Sequence, residues 1–237
     1  MLSSLNHNVE NGDKWVFDQK VAHCFEDMLQ RSIPEYATMR ALVFDVGRII
    51  LDNHKSKNIL DLGCSNGVGL EDFAIHYKDG NILGIDTSIP MLELAAERMK
   101  NHKNVHIKKM DLRKEFPNGK YQLITSILTI QFIPIEYRQN LIKTIYDSLN
   151  ANGAFIFVEK VLGNDFLIND LLTKSYLQLK QDNGYSQEQV CRKKASLEGV
   201  LVPITSNWNR ELLRSAGFKQ IDTFWRHLNF EGFIAIK

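Results

Sequence analysis

The chain has 237 residues, of which 44% are hydrophobic and 24% charged, enough to form the core of one globular domain. Its 29 basic and 28 acidic side chains leave a formal charge of +1, without the basic excess that a phosphate backbone attracts, so direct nucleic-acid binding is not expected. The three scattered cysteines are expected to be reduced thiols. No apolar run approaches the length of a membrane span, and residues 1–12 show no secretory signal. These features predict a cytoplasmic protein without a membrane partner.

The front of the chain is predicted to be helical. Residues 1–13 are polar and expected to be frayed, whereas apolar residues at spacings of four and three predict helices over 15–29 and 39–51. Two interpretations of this section stay open: plain packing against the rest of the fold, or a lid over a ligand with Arg31 and Tyr36 facing it.

The stretch Asn58 to Gly69, NILDLGCSNGVG, combines a short apolar strand, the acid Asp61 and a glycine-rich turn before a predicted helix. Such a turn lets a nucleotide-like ligand approach the backbone, because glycine has no Cβ. The spacing Gly-x-Ser-x-Gly-x-Gly lacks both the dinucleotide pattern and the Lys-Ser/Thr ending of a phosphate loop. It favours S-adenosyl-L-methionine (SAM), an adenosine carried on a sulfonium, over NAD or ATP. The alternative is a tight connection that binds no ligand.

Two further predicted strands also run into acids. The second ends in Asp86, 25 residues after Asp61, where a carboxylate can accept both hydroxyls of a ribose. The third leads to Asp111 and Leu112, where an acid and a backbone N–H can read the edge of an adenine. Three successive strands that end near aspartates indicate a nucleoside site more strongly than any one of these strands does.

Strands and helices alternate up to about residue 160, which predicts a parallel sheet with helices on both faces and ligands at the carboxyl ends of the strands. A pair of helices at 165–180 and 187–200 interrupts this alternation, and a helix at 206–216 precedes a hairpin of 221–230 and 232–237. The other predicted elements are strands at 59–62, 82–86, 105–109, 121–130 and 154–159, helices at 70–77, 90–100 and 135–149, and a turn at Asn152-Gly153.

Other candidate chemistry is weak. The seven histidines do not cluster, so no metal site is expected. The pair Glu159-Lys160 at a strand end is either functional or, more often, a plain strand-end pair. Among the adjacent cations Arg192, Lys193 and Lys194, at most one or two can face a site, because neighbouring positions on a helix point in different directions.

The order of these motifs resembles the class I SAM-dependent methyltransferases, and nearly the whole chain from Trp15 onward is similar to the carboxy-SAM synthases, which act ahead of wobble-uridine modification in bacterial tRNA. The resemblance implies an α/β, Rossmann-like class I methyltransferase fold with a mostly parallel seven-stranded sheet, an N-terminal helical lid and a helical insertion before the last two strands. It also implies a homodimer. It rests on Phe17-Asp18, Gln30-Arg-Ser32, Thr129-Ile-Gln-Phe132, Asn183-Gly-Tyr-Ser186 and Ala216-Gly-Phe218, together with the strand-end motifs.

We therefore expect one SAM-binding α/β domain over 1–237. Its expected parts are a lid at 1–51, a nucleoside-binding core at 52–160, a helical insertion at 161–202, and a C-terminal helix and hairpin at 203–237. The motifs and the resemblance together give the candidate SAM-binding residues Tyr36, Asp61, Gly63, Cys64, Ser65, Asp86, Thr87, Asp111, Leu112 and Ile127.

Two positions depart from the family pattern. Ile127 stands where the family presents an Asn near the sulfonium, and Lys194 stands where it uses an Arg to hold the added carboxylate. Arg is a planar two-pronged donor, whereas Lys is a point charge on a flexible stem. Either Lys194 compensates, or the product is not carboxy-SAM.

These departures leave three functions open. The first is a SAM-dependent transferase of this branch that acts on a small molecule or on SAM itself, by methyl transfer or by cyclisation. The second is a true carboxy-SAM synthase with prephenate as the carboxyl source, and the third is a non-catalytic SAM-binding protein. The candidate catalytic residues are Tyr36, Tyr176 and Lys194, with Tyr185 as a further aromatic near the sulfonium.

Overall fold

The computed structural model describes residues 13–237, so the predicted frayed segment lies outside the described residues except for Asp13. No helix in this described part is long and apolar enough to cross a membrane. The helices are α1 Gln19–Ser32, α2 Tyr36–Asp52, α3 Val68–His76, α4 Ile89–Met99, α5 Ile135–Ser148, α6 Phe166–Asp182, α7 Gln187–Leu197 and α8 Ser206–Ala216. The strands are β1 Asn58–Leu62, β2 Asn81–Asp86, β3 Val105–Lys109, β4 Tyr121–Ile127, β5 Leu149–Leu162, β6 Ile204–Thr205, β7 Gln220–His227 and β8 Phe230–Ile236.

The strands form one sheet in the order β3-β2-β1-β4-β5-β8-β7. Neighbouring strands run parallel in the part of this order from β3 through β2, β1 and β4 to β5. Strand β8 runs antiparallel to both β5 and β7. This order confirms the predicted Rossmann-like, mostly parallel sheet. The two-residue strand β6, which pairs with β5 beside the main path, was not predicted.

The central strands are apolar because helices cover both faces of the sheet. In β4 every residue from Tyr121 to Ser126 is buried. Met39 and Phe73 pack in the layer of α2 and α3, and Leu141 and Leu213 pack in the opposite layer of α5 and α8. Because both faces are covered, side chains and backbone at the carboxyl ends of the strands are the parts of the sheet that a ligand can reach.

The predicted fourth strand, 121–130, was three residues too long. The strand ends at Ile127, Leu128 takes a left-handed backbone with φ +59°, and a 3₁₀ turn follows at Ile130–Phe132. The buried Glu159 carboxylate accepts hydrogen bonds from the backbone N–H groups of Ile130 and Gln131, at 3.0 and 2.7 Å. The apolar run continues past the strand because this turn is itself buried.

Two other boundaries were wrong. The predicted turn at Asn152-Gly153 lies inside β5, where the pairing with β4 shifts register and Asn152 has φ +60°. Phe230, predicted to end the first strand of the hairpin, begins the second. At Asn152-Gly153 local turn residues indicated a break, but β5 continues through them. At the hairpin, the pairing of His227 with Phe230 puts the reversal before Phe230.

The first helix begins later than predicted, at Gln19, because the Asp18 side chain caps it by accepting a hydrogen bond from the Val21 N–H at 2.9 Å. It ends at Ser32, since the residue before Pro34 is disfavoured in a helical conformation. The second helix starts at Tyr36, which the sequence indicated as its first residue or the one before it, and thus extends three residues ahead of the apolar stretch 39–51.

We expect Gly63→Ala to destabilise the fold more than Gly184→Ala. Both glycines have left-handed backbone angles, φ +76° and +89°, so each substitution brings strain of roughly 1–3 kcal/mol. A Cβ at Gly63 would lie 2.2 Å from the Thr129 Oγ1, whereas one at Gly184 meets nothing within 4 Å. Urea denaturation of both variants measures the difference, and equal losses would contradict the packing argument.

Candidate active site

A cavity of about 920 Å³ opens at the carboxyl ends of the parallel strands. Two candidates from the sequence, Lys194 and Tyr185, are not among the lining residues, and Lys194 is exposed. The predicted site residues that line the cavity are Tyr36, Asp61, Gly63, Cys64, Ser65, Asp86, Thr87, Asp111, Leu112, Ile127 and Tyr176.

The glycine-rich turn folds back over the end of β2. The backbone N–H groups of Gly63 and Cys64 both donate to the Ile85 carbonyl, at 2.8 and 2.9 Å. Gly63 and Ser65 have positive φ angles, and at Gly63 a side chain would collide with Thr129. The turn therefore presents backbone directly to the cavity, as a nucleoside site requires.

Asp86 joins this turn to the start of α4. One carboxylate oxygen accepts from the Ser65 N–H and the other from the Ser88 N–H, each at 2.9 Å. Burial raises the pKa of Asp86, while these two N–H groups oppose the rise. A carboxylate oxygen can accept more than one hydrogen bond, so this fixed carboxylate still has the capacity to accept hydroxyls from a ligand.

Asp61, at the end of β1, is buried and accepts a hydrogen bond from the Thr125 hydroxyl at 2.7 Å. Burial raises the pKa of Asp61, and the positive charge of Arg40 opposes the rise. Arg40 also lines the cavity, and its guanidinium lies against Gly69. Within residues 13–237 this guanidinium makes no hydrogen bond or ion pair, so it can receive an anionic group of a ligand.

Asp111 is differently placed from the two other strand-end acids. Its carboxylate forms a two-pronged pair with Arg113, Nε to Oδ1 at 2.9 Å and Nη2 to Oδ2 at 2.7 Å. This pairing lowers the pKa of Asp111 to about 2. Sequence reasoning missed Arg113, although a cation two residues after the acid was a visible signal.

The front section lies over the cavity and contacts the glycine-rich turn. Glu26 of α1 accepts from the Asn66 side-chain amide at 2.8 Å and pairs with Arg98. The Ser88 hydroxyl donates to the Phe17 carbonyl at 2.6 Å. These contacts pack the section against the glycine-rich turn and α4, as both the packing and the lid interpretations expect.

The two residues expected to face the ligand from this section differ in position. Tyr36 lines the cavity, and burial raises the pKa of its hydroxyl. Arg31 instead forms an ion pair with Asp27 at 2.6 Å, and its guanidinium lies 4.4 Å from the centre of the Tyr185 ring. Arg31 is not among the residues that line the cavity.

Lysine side chains approach the opposite side of the cavity, which sequence reasoning did not anticipate as a group. Lys160 of β5 and Lys193 of α7 line the cavity. The Lys160 amine lies 4.6 Å from the centre of the Tyr176 ring, and the Lys193 amine donates to the Ser32 hydroxyl at 3.3 Å. Within the run of three cations, Lys193 thus takes the cavity-facing position that was assigned to Lys194.

Comparisons with known proteins show which family and which fold this chain resembles. A family model described as "Methyltransferase domain" matches residues 59–153. The chain is 37% identical over 231 residues to the "Carboxy-S-adenosyl-L-methionine synthase" of Methylococcus capsulatus, covering 95% of this chain and 94% of that protein. It is also 37% identical over 230 residues to the protein of the same name from Staphylococcus epidermidis, covering 96% and 99% respectively.

Solved methyltransferases share the fold at low sequence identity. A Haemonchus contortus "Phospholethanolamine N-methyltransferase 2" in complex with S-adenosylhomocysteine superposes with a TM-score of 0.63 at 16% identity, over 92% of this chain and 58% of that one. The "CurJ carbon methyltransferase" gives a TM-score of 0.65 at 12% identity, over 92% and 60%. Identities this low show the fold alone.

We expect Lys193 to make the free energy of unfolding rise with pH above about pH 7, against an opposite contribution up to about pH 8 from Glu159, whose pKa burial raises to about 8. Burial and the nearby charges of Lys180 and Arg31 lower the pKa of Lys193 to about 7, against roughly 10.4 for an unfolded lysine. Between these values the unfolded state binds more protons, so stability increases by up to about 1.4 kcal/mol per pH unit for this group.

Lys193→Met should flatten that rise, whereas Lys219→Met, at an exposed position, should preserve it. Urea denaturation between pH 6.5 and 9 measures the slope for each protein. Equal slopes in the wild type and Lys193→Met would show that Lys193 does not titrate in this range.

Proposed function

Because this chain belongs to the carboxy-S-adenosyl-L-methionine synthase family and is a SAM-dependent transferase, we propose that SAM lies across the carboxyl ends of its strands with the ribose held by Asp86. The position of Asp86 supports this proposal most directly. Its carboxylate is fixed by two backbone N–H groups beside a turn that a nucleoside can approach closely. Carboxylates so placed accept ribose hydroxyls in folds of this class.

The rest of the cavity fits the remaining parts of SAM. The adenine is assigned to the region of Asp111 and Leu112, beyond Asp86 on the β3 side. Asp61 offers a carboxylate to the cationic amino group, and Arg40 offers a guanidinium to the carboxylate of the methionine part. The aromatic face of Tyr36 suits the positively charged sulfur.

SAM supplies an electrophilic carbon attached to a cationic sulfur. A nucleophile donates a lone pair to that carbon, the carbon–sulfur bond breaks with its electrons moving to sulfur, and a neutral thioether leaves. Attack on the methyl group yields S-adenosylhomocysteine. Attack by SAM's own amino group on its methionine side chain, after the ammonium has lost a proton to solvent, yields a cyclic amino acid and methylthioadenosine. In either case the protein mainly orients the reacting atoms in line.

Transfer to a small molecule or within SAM is the first candidate reaction. Ile127, which stands where the family resemblance implies an Asn, is a cavity-lining residue without a hydrogen-bonding side chain. Lys194, at the position of the family's Arg, is exposed in the single chain. A carboxylate added to SAM would thus lack both of the family's side-chain donors within this cavity. An unsatisfied buried acceptor costs about 1–3 kcal/mol, and more when it is charged.

Carboxy-SAM formation is the second candidate. The names of relatives that are 37% identical over nearly the whole chain favour it, as do the two cavity-lining amines of Lys160 and Lys193. These amines supply positive charge from positions other than Lys194. In this case prephenate would be the carboxyl source, and the product would serve wobble-uridine modification of tRNA. For both candidates we propose a homodimer, which sedimentation of the purified protein tests.

Product masses separate the candidates. The purified protein is incubated with SAM, with and without prephenate, and the nucleosides are analysed by mass spectrometry. S-adenosylhomocysteine or methylthioadenosine supports the first candidate. A SAM adduct heavier by one carboxyl group, formed only with prephenate, supports the second. Unchanged SAM in both reactions, with SAM still bound to the protein, would contradict both and favour a non-catalytic SAM-binding protein.

We expect Asp86→Asn to lower SAM affinity by about 10- to 100-fold, because it weakens charge-assisted hydrogen bonds worth roughly 1.5–3 kcal/mol. Isothermal titration calorimetry measures the change. Asp45→Asn on the exposed face of α2 is the matched control and should leave affinity unchanged. Wild-type affinity in Asp86→Asn would remove the basis of the proposed binding mode.

A further inference from the structure

Glu159 is a buried acid that does not line the cavity but holds one of its walls from behind. It is 3% exposed, and its two oxygens accept hydrogen bonds from the backbone N–H groups of Ile130 and Gln131, at 3.0 and 2.7 Å. Both groups belong to residues 128–132, which we call the β4 turn. Four residues of this turn line the cavity: Leu128, Thr129, Gln131 and Phe132.

The β4 turn needs this support. Leu128 has φ +59°, a left-handed conformation that persists in a leucine only when its surroundings hold it. Ile130 and Gln131 begin a 3₁₀ turn, so their N–H groups have no partner within it. Both residues are buried, and without the Glu159 carboxylate their N–H groups would lose their acceptor.

Arg138 of α5 holds the same turn at its carbonyl groups. It is 2% exposed, and its guanidinium donates to the carbonyls of Ile133 and Gln131, at 2.8 and 3.2 Å. The Val202 N–H also donates to the Gln131 carbonyl, at 2.9 Å. Gln131 is thus fixed at its N–H by Glu159 and at its carbonyl by Arg138 and Val202. The position of the β4 turn therefore depends on two charged groups that are buried behind it.

The β4 turn in turn contacts the parts of the cavity assigned to SAM. Thr129 fills the space beside Gly63, where a Cβ would lie 2.2 Å from the Thr129 Oγ1. Phe132 meets Phe17 of the front section edge to face, with ring centres 5.2 Å apart. The β4 turn therefore links the glycine-rich turn, which a nucleoside can approach closely, to the front section.

The charge of Glu159 decides how well it can hold this turn. The ionised carboxylate accepts at both oxygens, whereas the protonated acid carries an O–H donor on one of them. Burial raises the pKa of Glu159 to about 8, and the N–H groups of the turn and the positive charge of Arg138 oppose the rise. Among the described residues, Arg138 is therefore the charge that favours the ionised form.

Two charged neighbours of Glu159 on the sheet have other surroundings. Glu231 is its register partner on β8, so both side chains are on the same face of the sheet. Glu231 pairs instead with Arg210 and Arg226, at 3.1 and 3.4 Å. Lys160, the next residue of β5, points to the opposite face, because successive residues of a strand alternate. Neither side chain therefore acts as a counterion of the Glu159 carboxylate.

We propose that Glu159 is a positioning residue for SAM: its ionised carboxylate holds the β4 turn against the glycine-rich turn, and protonation loosens this contact and weakens SAM binding. The inference rests on the proposed function, because it concerns the cavity to which SAM is assigned. Glu159 acts through the turn and does not touch the ligand. SAM affinity should therefore rise with pH as Glu159 ionises, and bound SAM should favour the ionised form.

Calorimetric titration of SAM at pH 6.5 and pH 9 tests this role in the wild type, Glu159→Gln and Glu211→Gln. A glutamine resembles the protonated acid, because it too accepts at one end and donates at the other. We expect Glu159→Gln to bind SAM within threefold of the wild type at pH 6.5 and at least tenfold more weakly at pH 9. Glu211→Gln, at an exposed position of α8, should match the wild type at both pH values.

The ratio of the dissociation constants of Glu159→Gln and the wild type is the decisive quantity. It cancels the titration of SAM's own amino group and of the cavity lysines, which are common to both proteins. A ratio that is the same at both pH values would mean that Glu159 serves only the stability of the fold, which overturns the inference. Wild-type affinity of Glu159→Gln at pH 9 overturns it too. Circular dichroism at each pH checks that the variants fold.

Hydrogen exchange of the wild type tests the same link without a variant, so the inference remains testable if Glu159→Gln does not fold. Protection of a peptide that covers residues 128–132, corrected for the intrinsic exchange rate, should rise at least fivefold from pH 6.5 to pH 9. Protection of a peptide from α4 is the control and should stay constant. Equal behaviour of the two peptides would overturn the role of the Glu159 charge.

These measurements distinguish failure of this inference from failure of the proposed function. SAM binding by the wild type with a constant ratio overturns only the role of Glu159. No SAM binding by the wild type overturns the proposed function. In that case hydrogen exchange without SAM still decides whether ionised Glu159 holds the β4 turn.

Discussion

The hydrogen bonds between the Asp86 carboxylate and the backbone N–H groups of Ser65 and Ser88 are the contact on which the site depends. They tie the end of β2 to the glycine-rich turn on one side and to the start of α4 on the other. The turn needs this support, because it contains left-handed backbone at Gly63 and Ser65. A strained turn persists only when its surroundings hold it in place. The same carboxylate that fixes the turn is thus presented to the cavity in a fixed orientation.

The two carboxylates and the two amines of the cavity lie at different places, with Arg40 as a further cation beside the carboxylates. Asp61 and Asp86 lie toward β1 and β2, and the amines of Lys160 and Lys193 lie toward β5 and α7. A cationic ligand part and an anionic one would therefore bind in a defined direction. Trp15 and the α1 residues Phe25 and Met28 also line the cavity, so part of its wall is apolar. Electrostatic interactions are stronger where water is excluded.

The fold is shared with methyltransferases of 12–16% identity, so it does not by itself select a reaction. The choice depends on a few side chains around the expected position of the sulfonium. Ile127 removes a hydrogen-bonding group from that region, while Lys160 and Lys193 bring charge to it from different elements. Relatives that are 37% identical match this chain over nearly its whole length. Even so, side-chain differences at this end of the cavity are enough to change the reaction.

The sequence alone predicted the alternating fold, the glycine-rich turn and the acids that follow the first three strands. These features are local: apolar runs, glycines and the residues at strand ends can be read within a few positions of each other. Tertiary structure decided which member of a local group serves the site. Lys193 rather than Lys194 lines the cavity, and the Glu159 carboxylate accepts hydrogen bonds from the backbone of the turn after β4. Each outcome depends on partners that distant segments supply in the packed fold. The pattern of a single segment does not contain that information.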